Sequence, residues 1–134
     1  MSFIPYLHFD GTCAEAMAFY AEVFGATDLQ IMRYSEAPPD TQQAASSERV
    51  MHSQFSLGGA TLMASDFPEG MAQPQAAVSV MHVVKDLAAA TRLCEKLAAG
   101  GAVMMPFGPT FFSRGFGMLK DRFGTHWMIS AMPD

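Results

Sequence analysis

Cysteine is scarce in this sequence: among 134 residues there are two, Cys13 and Cys94, with no Cys-X-X-Cys spacing. That excludes a disulfide scaffold and the common thiolate zinc frameworks. Basic residues are scarce as well. Eight Lys and Arg stand against thirteen Asp and Glu, a formal net charge of −5, and they form no cluster. The phosphate-neutralising charge on which nucleic-acid affinity depends is therefore missing. No apolar run approaches the roughly 20 residues of a membrane helix, and the opening MSFIPYLHFDG lacks the basic region and cleavage site of a signal peptide. The expectation is a soluble, cytoplasmic protein with neither nucleic acid nor membrane as partner. Charged residues make up only 16% while hydrophobic ones reach 50%, which argues against disorder and leaves apolar side chains to face a pocket or a partner. A chain of this length is expected to form one domain, residues 1–134, burying roughly two-thirds of its unfolded surface.

What the chain does contain is one plan stated twice. FIPYLHF, residues 3–9, alternates as a strand, and Asp10-Gly11 turns it. Thr12 with Glu15 forms a capping box for a helix running to about Phe24, and Gly25 supplies a left-handed stop. Met17, Phe19, Tyr20, Val23 and Phe24 make its broad apolar side. Strands follow at 28–34 and 50–57, and Gly58-Gly59 turns the chain into a third at 60–65. The same order returns: a strand at 77–84, a turn at Lys85-Asp86, a helix from Leu87 to Ala99 closed by Gly100-Gly101, and strands at 102–105, 115–120 and 125–130. The fold class is α+β, two βαβββ halves at about 1–67 and 76–134. One such unit cannot bury its own sheet alone.

Three stretches read as loops. Residues 35–49 hold adjacent prolines and almost no large apolar side chain, so they form either a lid or a tolerated insertion. Residues 66–75 link the halves, and 106–115 combine Phe107, Phe111, Phe112 and Arg114 with turn residues. Both cysteines fall on helices and read as reduced and structural, although a helix start could lend Cys13 some thiolate character.

Residues 5–26 (PYLHFDGTCAEAMAFYAEVFGA), 51–66 (MHSQFSLGGATLMASD) and 120–130 (KDRFGTHWMIS) together resemble the PhnB-like branch of the glyoxalase/bleomycin-resistance, or vicinal-oxygen-chelate, superfamily. The resemblance covers nearly the whole chain. It implies two four-stranded mixed sheets curved into a cup with helices outside, completed as a homodimer. Some relatives carry a ubiquinone-pathway methyltransferase label, yet the sequence has no glycine-rich strand-turn-helix for a nucleoside cofactor. The superfamily's metal enzymes place His or Glu on the first and last strands of each half. Those slots fall here at Ile4 or Pro5, Met63, near Ser79, and at Met128, none of which suits a hard or borderline divalent ion. The expectation is no metal and no cofactor.

His8, His52, His82 and His126 all lie in strand segments. A buried histidine is more often a hydrogen-bonded core residue than a ligand, though His8, His52 and His126 could rebuild a displaced metal site. By alternation His8 shares a face with Tyr6, and His126 with Met128 and Ser130; His82 alternates with Val80 and Val84, which read as helix-packing residues, and the orientation of His52 and His82 stays open. Trp127 is expected between sheet and helix. Of twelve methionines, most read as core, with Met63 and Met128 singled out by their slots. Arg114 is either an anion contact or a surface residue.

The expected function is metal-independent binding of a partly apolar small molecule, sequestered or sensed in a pocket from Tyr6, His8, His52, Gln54, Met63, Phe107, Phe112, Arg114, His126 and Met128. The alternative is a glyoxalase-type lyase, isomerase or dioxygenase with a displaced divalent metal or a His/Tyr acid–base pair. Against it, Glu15, Glu22 and Glu95 all fall on helices. A third reading is a structural subunit whose pocket is filled by its own side chains.

Overall fold

The computed structural model describes residues 2–38 and 47–132, and the chain divides into two compact units, Met1–Pro74 and Gln75–Asp134. The first holds β1 (Tyr6–Phe9), α1 (Cys13–Phe24), β2 (Gln30–Arg33), a short 3-10 turn at Tyr34–Glu36, β3 (Val50–Leu57) and β4 (Ala60–Asp66). The second holds β5 (Val80–Val84), α2 (Leu87–Ala98), β6 (Ala102–Gly108), β7 (Phe116–Lys120) and β8 (His126–Ala131). The strand orders are β1-β4-β3-β2 and β5-β8-β7-β6, so the duplication expected from sequence is a duplication of topology. In each sheet the first strand pairs parallel to the last and the other pairings are antiparallel.

Strand alternation explains which side each helix covers. In the first unit Leu7 and Phe9, Ser53 and Phe55, and Leu62 and Ala64 are buried on the α1 side, against Cys13, Ala16, Met17 and Tyr20. In the second, Leu119, Trp127, Ile129 and Ala131 are buried with Ala90, Leu93 and Leu97 of α2. Trp127 stands between sheet and helix as expected, its indole N–H donating to Asp121 Oδ2 at 2.8 Å.

The helix ends show where local sequence misleads. Thr12 makes no side-chain cap on α1. Asp66, at the end of β4, does that work: its Oδ1 accepts from the N–H groups of Gly11 and Cys13 at 2.8 and 3.0 Å, and its Oδ2 from that of Val50 at 2.9 Å. A buried carboxylate binds exposed helix-start N–H groups more strongly than a hydroxyl. Gly25 at φ 82° does stop α1, with Ala26 N–H returning to the Ala21 carbonyl. Asp86 caps α2 through Ala88 N–H. Gly101 is required for a different reason, because a Cβ there would lie 2.1 Å from the Lys120 carbonyl oxygen.

Three boundaries depart from the sequence reading by three residues each. β1 begins at Tyr6 rather than at residue 3, Pro5 contributing only its carbonyl, to Met63 N–H. β5 begins at Val80 rather than 77, after Ala77 at φ 62°. β6 runs on through Pro106 to Gly108, where a loop was expected. It is the last strand in its sheet, and an edge strand tolerates the N–H that proline lacks. Most of the expected 35–49 loop, residues 39–46, lies outside the described residues, so the lid expectation does too; at its base Tyr34 and Ser35 N–H groups bond to the carbonyls of Arg49 and Ser47.

Candidate functional site

The face of the first sheet turned away from α1 gathers polar and aromatic side chains. Register places Tyr6 beside Met63 and Met63 beside Gln54, one residue from each of β1, β4 and β3. His52, two residues before Gln54 on β3, shares that face by alternation and lies opposite Met32 of β2. These residues form a hydrogen-bonded chain. Tyr6 Oη lies 3.1 Å from His52 Nδ1, and His52 Nε2 lies 2.9 Å from Gln54 Oε1. An amide oxygen only accepts, so His52 Nε2 donates to Gln54 Oε1 while Nδ1 meets the tyrosine hydroxyl. His8 extends the cluster, its ring 5.1 Å from that of Tyr6 and stacked at 5.0 Å on Phe67. Tyr6 and His8 are exposed and His52, Gln54 and Met63 half-buried, so the cluster is accessible.

At the rim, Arg49 Nη1 donates to Asp10 Oδ1 at 2.8 Å and to the Phe67 carbonyl at 2.9 Å. That pins the β1–α1 turn to the segment carrying the ring under His8. Arg49 and Phe67 were not singled out from sequence, and nothing local marks them, since their partners lie far along the chain.

The remaining expected site residues belong to the second unit. His126 and Met128 share the face of the second sheet turned away from α2, with Ser130 beyond them. Phe107 lies on the opposite side, its ring and Leu87 filling the space a side chain on Gly115 would need and its backbone lying over Gly117. Phe112 is exposed on the loop, edge-on to Phe111 and Phe116. Arg114 Nε donates to the Met132 carbonyl at 2.9 Å and its Nη2 to the Lys85 carbonyl at 2.7 Å, tying the loop to the ends of β8 and β5. Ser113 Oγ bonds the Gly115 carbonyl and sets the loop's shape.

Three titratable groups outside the cluster are tuned by burial. The Cys13 thiol, fully buried with Ser53 Oγ at 3.4 Å, is pushed up to about 12 by burial, the reverse of the thiolate character a helix start could lend. Burial likewise raises Cys94 to about 11. His82, on the α2 side beside Ile129, is held below its ordinary value by burial.

For a divalent metal the donor set does not fit. The slots implied by the resemblance carry apolar or hydroxyl side chains, and among the described residues no three His, Cys, Asp or Glu side chains converge to hold an ion. His8 and His52 share a face of the first unit, while His126 belongs to the second. A nucleoside cofactor fits no better: the β1–α1 turn has a single glycine, Gly11, with the Arg49 guanidinium against it, and the β5–α2 turn has none.

Two βαβββ units with polar side chains set on open sheet faces define a glyoxalase-like α+β protein of the vicinal-oxygen-chelate superfamily. Residues 1–130 match the family described as 3-demethylubiquinone-9 3-methyltransferase, and the chain belongs to that family, the PhnB-like branch. It is 30% identical to protein YjdN of Escherichia coli over 98% of this chain and 96% of that one. Among solved structures it is similar to protein PA1353 from Pseudomonas aeruginosa, with 37% identity, a TM-score of 0.88, and 100% and 99% of the two chains covered. It is also similar to a PhnB protein from Bacillus cereus, with 28% identity, a TM-score of 0.76, and 98% and 100% covered. A glyoxalase-related enzyme from Fulvimarina pelagi shares the fold, at 19% identity and a TM-score of 0.65 over 99% and 88% of the chains.

Proposed function

We propose that this chain is a homodimeric, metal-independent small-molecule-binding protein that sequesters or senses a partly apolar ligand. The observation that carries the reading is the Tyr6–His52–Gln54 hydrogen-bonded chain on an accessible sheet face. Its members hold one another in fixed orientation and leave Gln54 Nε2 to donate to a ligand, while Met63 and the Tyr6 and His8 rings offer apolar contact. Both His52 ring nitrogens are already engaged, so a metal would have to displace Tyr6 or Gln54. A few placed polar groups among apolar ones is the usual chemistry of a small-molecule site.

The test is thermal unfolding against a library of partly apolar compounds bearing one hydrogen-bond acceptor, run in chelator and again with nickel, manganese, iron or zinc. Stabilising compounds that act in chelator and lose effect in His52→Ala and Gln54→Ala support binding without metal. Stabilisation only with a divalent ion, at one ion per chain by elemental analysis, overturns it.

One contact favours a second reading. The Tyr6 hydroxyl and His52 imidazole stand within proton-transfer distance, the pairing a metal-free lyase or isomerase would use. Turnover of a stabilising compound, abolished in Tyr6→Phe with binding retained, would select this reading over simple binding.

A further inference from the structure

The second sheet carries a pattern outside the site described above. Met81 of β5 is paired with Met128 of β8, Met128 with Met118 of β7, and Met118 with Met105 of β6. Met81, Met128 and Met118 thus form a transverse row across three neighbouring strands. The row lies on the face turned away from α2, because the flanking positions Val80, His82, Trp127, Ile129 and Leu119 belong to the paired set on the α2 side. The β6 bulge sets Met105 opposite Met118, but Met105 lines a cavity with Thr91, Cys94, Glu95 and Ala98 of α2 and stands apart from the other three. Met81 is 53% exposed, and Met118 and Met128 are half-buried, so solutes reach the row.

Side chains directly opposite on neighbouring strands have Cβ atoms about 4.5–5.5 Å apart. Methionine is unbranched, with three rotatable bonds and a polarizable sulfur at their end, so thioethers from adjacent strands can converge on one point above the sheet. His126, two residues before Met128 on the same face, brings an imidazole alongside. Leucine or valine would cover an apolar face equally well but would supply no donor. Neutral thioethers bind hard and borderline divalent ions poorly and favour soft, filled-shell cations.

We infer that the row Met81–Met128–Met118, with His126 beside it, is a binding site for copper(I). The inference does not rest on the reading of the first sheet. It uses another unit and another class of donor, and chelators of divalent ions do not compete for it.

The test uses the full chain with Cys94→Ala, which removes the accessible thiol and leaves only the fully buried Cys13. Methionine methyl groups carry the carbon-13 label, and the probes are silver(I), in chloride-free buffer, and copper(I) under anaerobic conditions. The expected result is that the methyl resonances of Met81, Met118 and Met128 move together and saturate at one ion per chain, with the exposed Met71 unmoved. Met128→Leu, which conserves volume and apolar character, should abolish the concerted shift and weaken copper(I) retention by at least about tenfold. Met81→Leu, at an exposed position, repeats the test where folding is not in question. The inference is overturned if no resonance moves, if Met32 and Met71 move as much as the row, or if both leucine variants still saturate at one ion.

Discussion

His82 is a residue whose surroundings set its charge. It sits on β5 beside the fully buried Ile129, on the side that α2 covers, and burial lowers its pKa below the ordinary 6.5. In the unfolded chain the imidazole takes a proton near its ordinary value, whereas the folded protein resists it. The unfolded state therefore binds more protons as the pH drops below about 6.5. The stability that neutral His82 permits is complete above that pH and is lost progressively as the pH falls toward the lower folded value. Urea midpoints of the wild type and of His82→Gln should therefore stay parallel from pH 8 to 7 and then diverge, the wild type falling more steeply between pH 6.5 and 5. Parallel curves throughout would mean that His82 charges equally easily in both states.

At the scale of elements, the start of α1 depends on a side chain 53 positions away. Asp66 meets three main-chain N–H groups with two oxygens while itself buried. Asp66→Asn keeps an oxygen for Gly11 and Cys13 but turns an N–H₂ toward the Val50 N–H, donor against donor, and should cost about 2 kcal/mol. Asp66→Ala leaves all three donors unmet and should cost about 3–5 kcal/mol, while Thr12→Ala should fall within about 0.5 kcal/mol because Thr12 caps nothing. Equilibrium urea denaturation measures all three, and a larger loss in Thr12→Ala than in Asp66→Asn would reverse the assignment. The same contrast shows what the sequence discloses. Elements were legible where their cause is local, as in strand alternation, the Gly25 stop and the Gly58-Gly59 turn; alternation put Tyr6 and His8 on one face, the family resemblance pointed to Met63, and only the structure fixed the orientation of His52. Causes that arise only on folding were not legible. Asp66 outcompetes a local capping pair, Pro106 is tolerated because β6 ends up at an edge, Phe107 turns to the α2 side because Gly115 and Gly117 leave it room, and Arg114 bonds two carbonyls at strand ends far along the chain. The methionine row required the pairing register of three strands.

For the whole molecule, the balance between apolar content and surface leads to the last prediction. Each unit has one helix for one sheet, so each sheet has a face its own helix does not cover. Tyr6 and Met32 are exposed on the first sheet, and Met81, Val83, Met104 and Met105 on the second, with Phe111 and Phe112 on the neighbouring loop. Single exposed apolar residues are ordinary, but contiguous ones mark interaction surfaces. A stable pairing needs about 800 Å² from each partner, roughly a tenth of the 8164 Å² this chain exposes. The net charge of −5 is modest enough for two copies to approach at physiological salt, where screening acts within about 8 Å. The homodimer proposed above should therefore sediment at twice the 14.5 kDa chain mass at micromolar concentration, with little dependence on salt because apolar burial drives it. Phe111→Ser with Met104→Lys tests whether the second unit's apolar surface takes part, and a shift toward monomer without loss of helix signal would place the contact there. Sedimentation at the single-chain mass at all concentrations would instead overturn the homodimer.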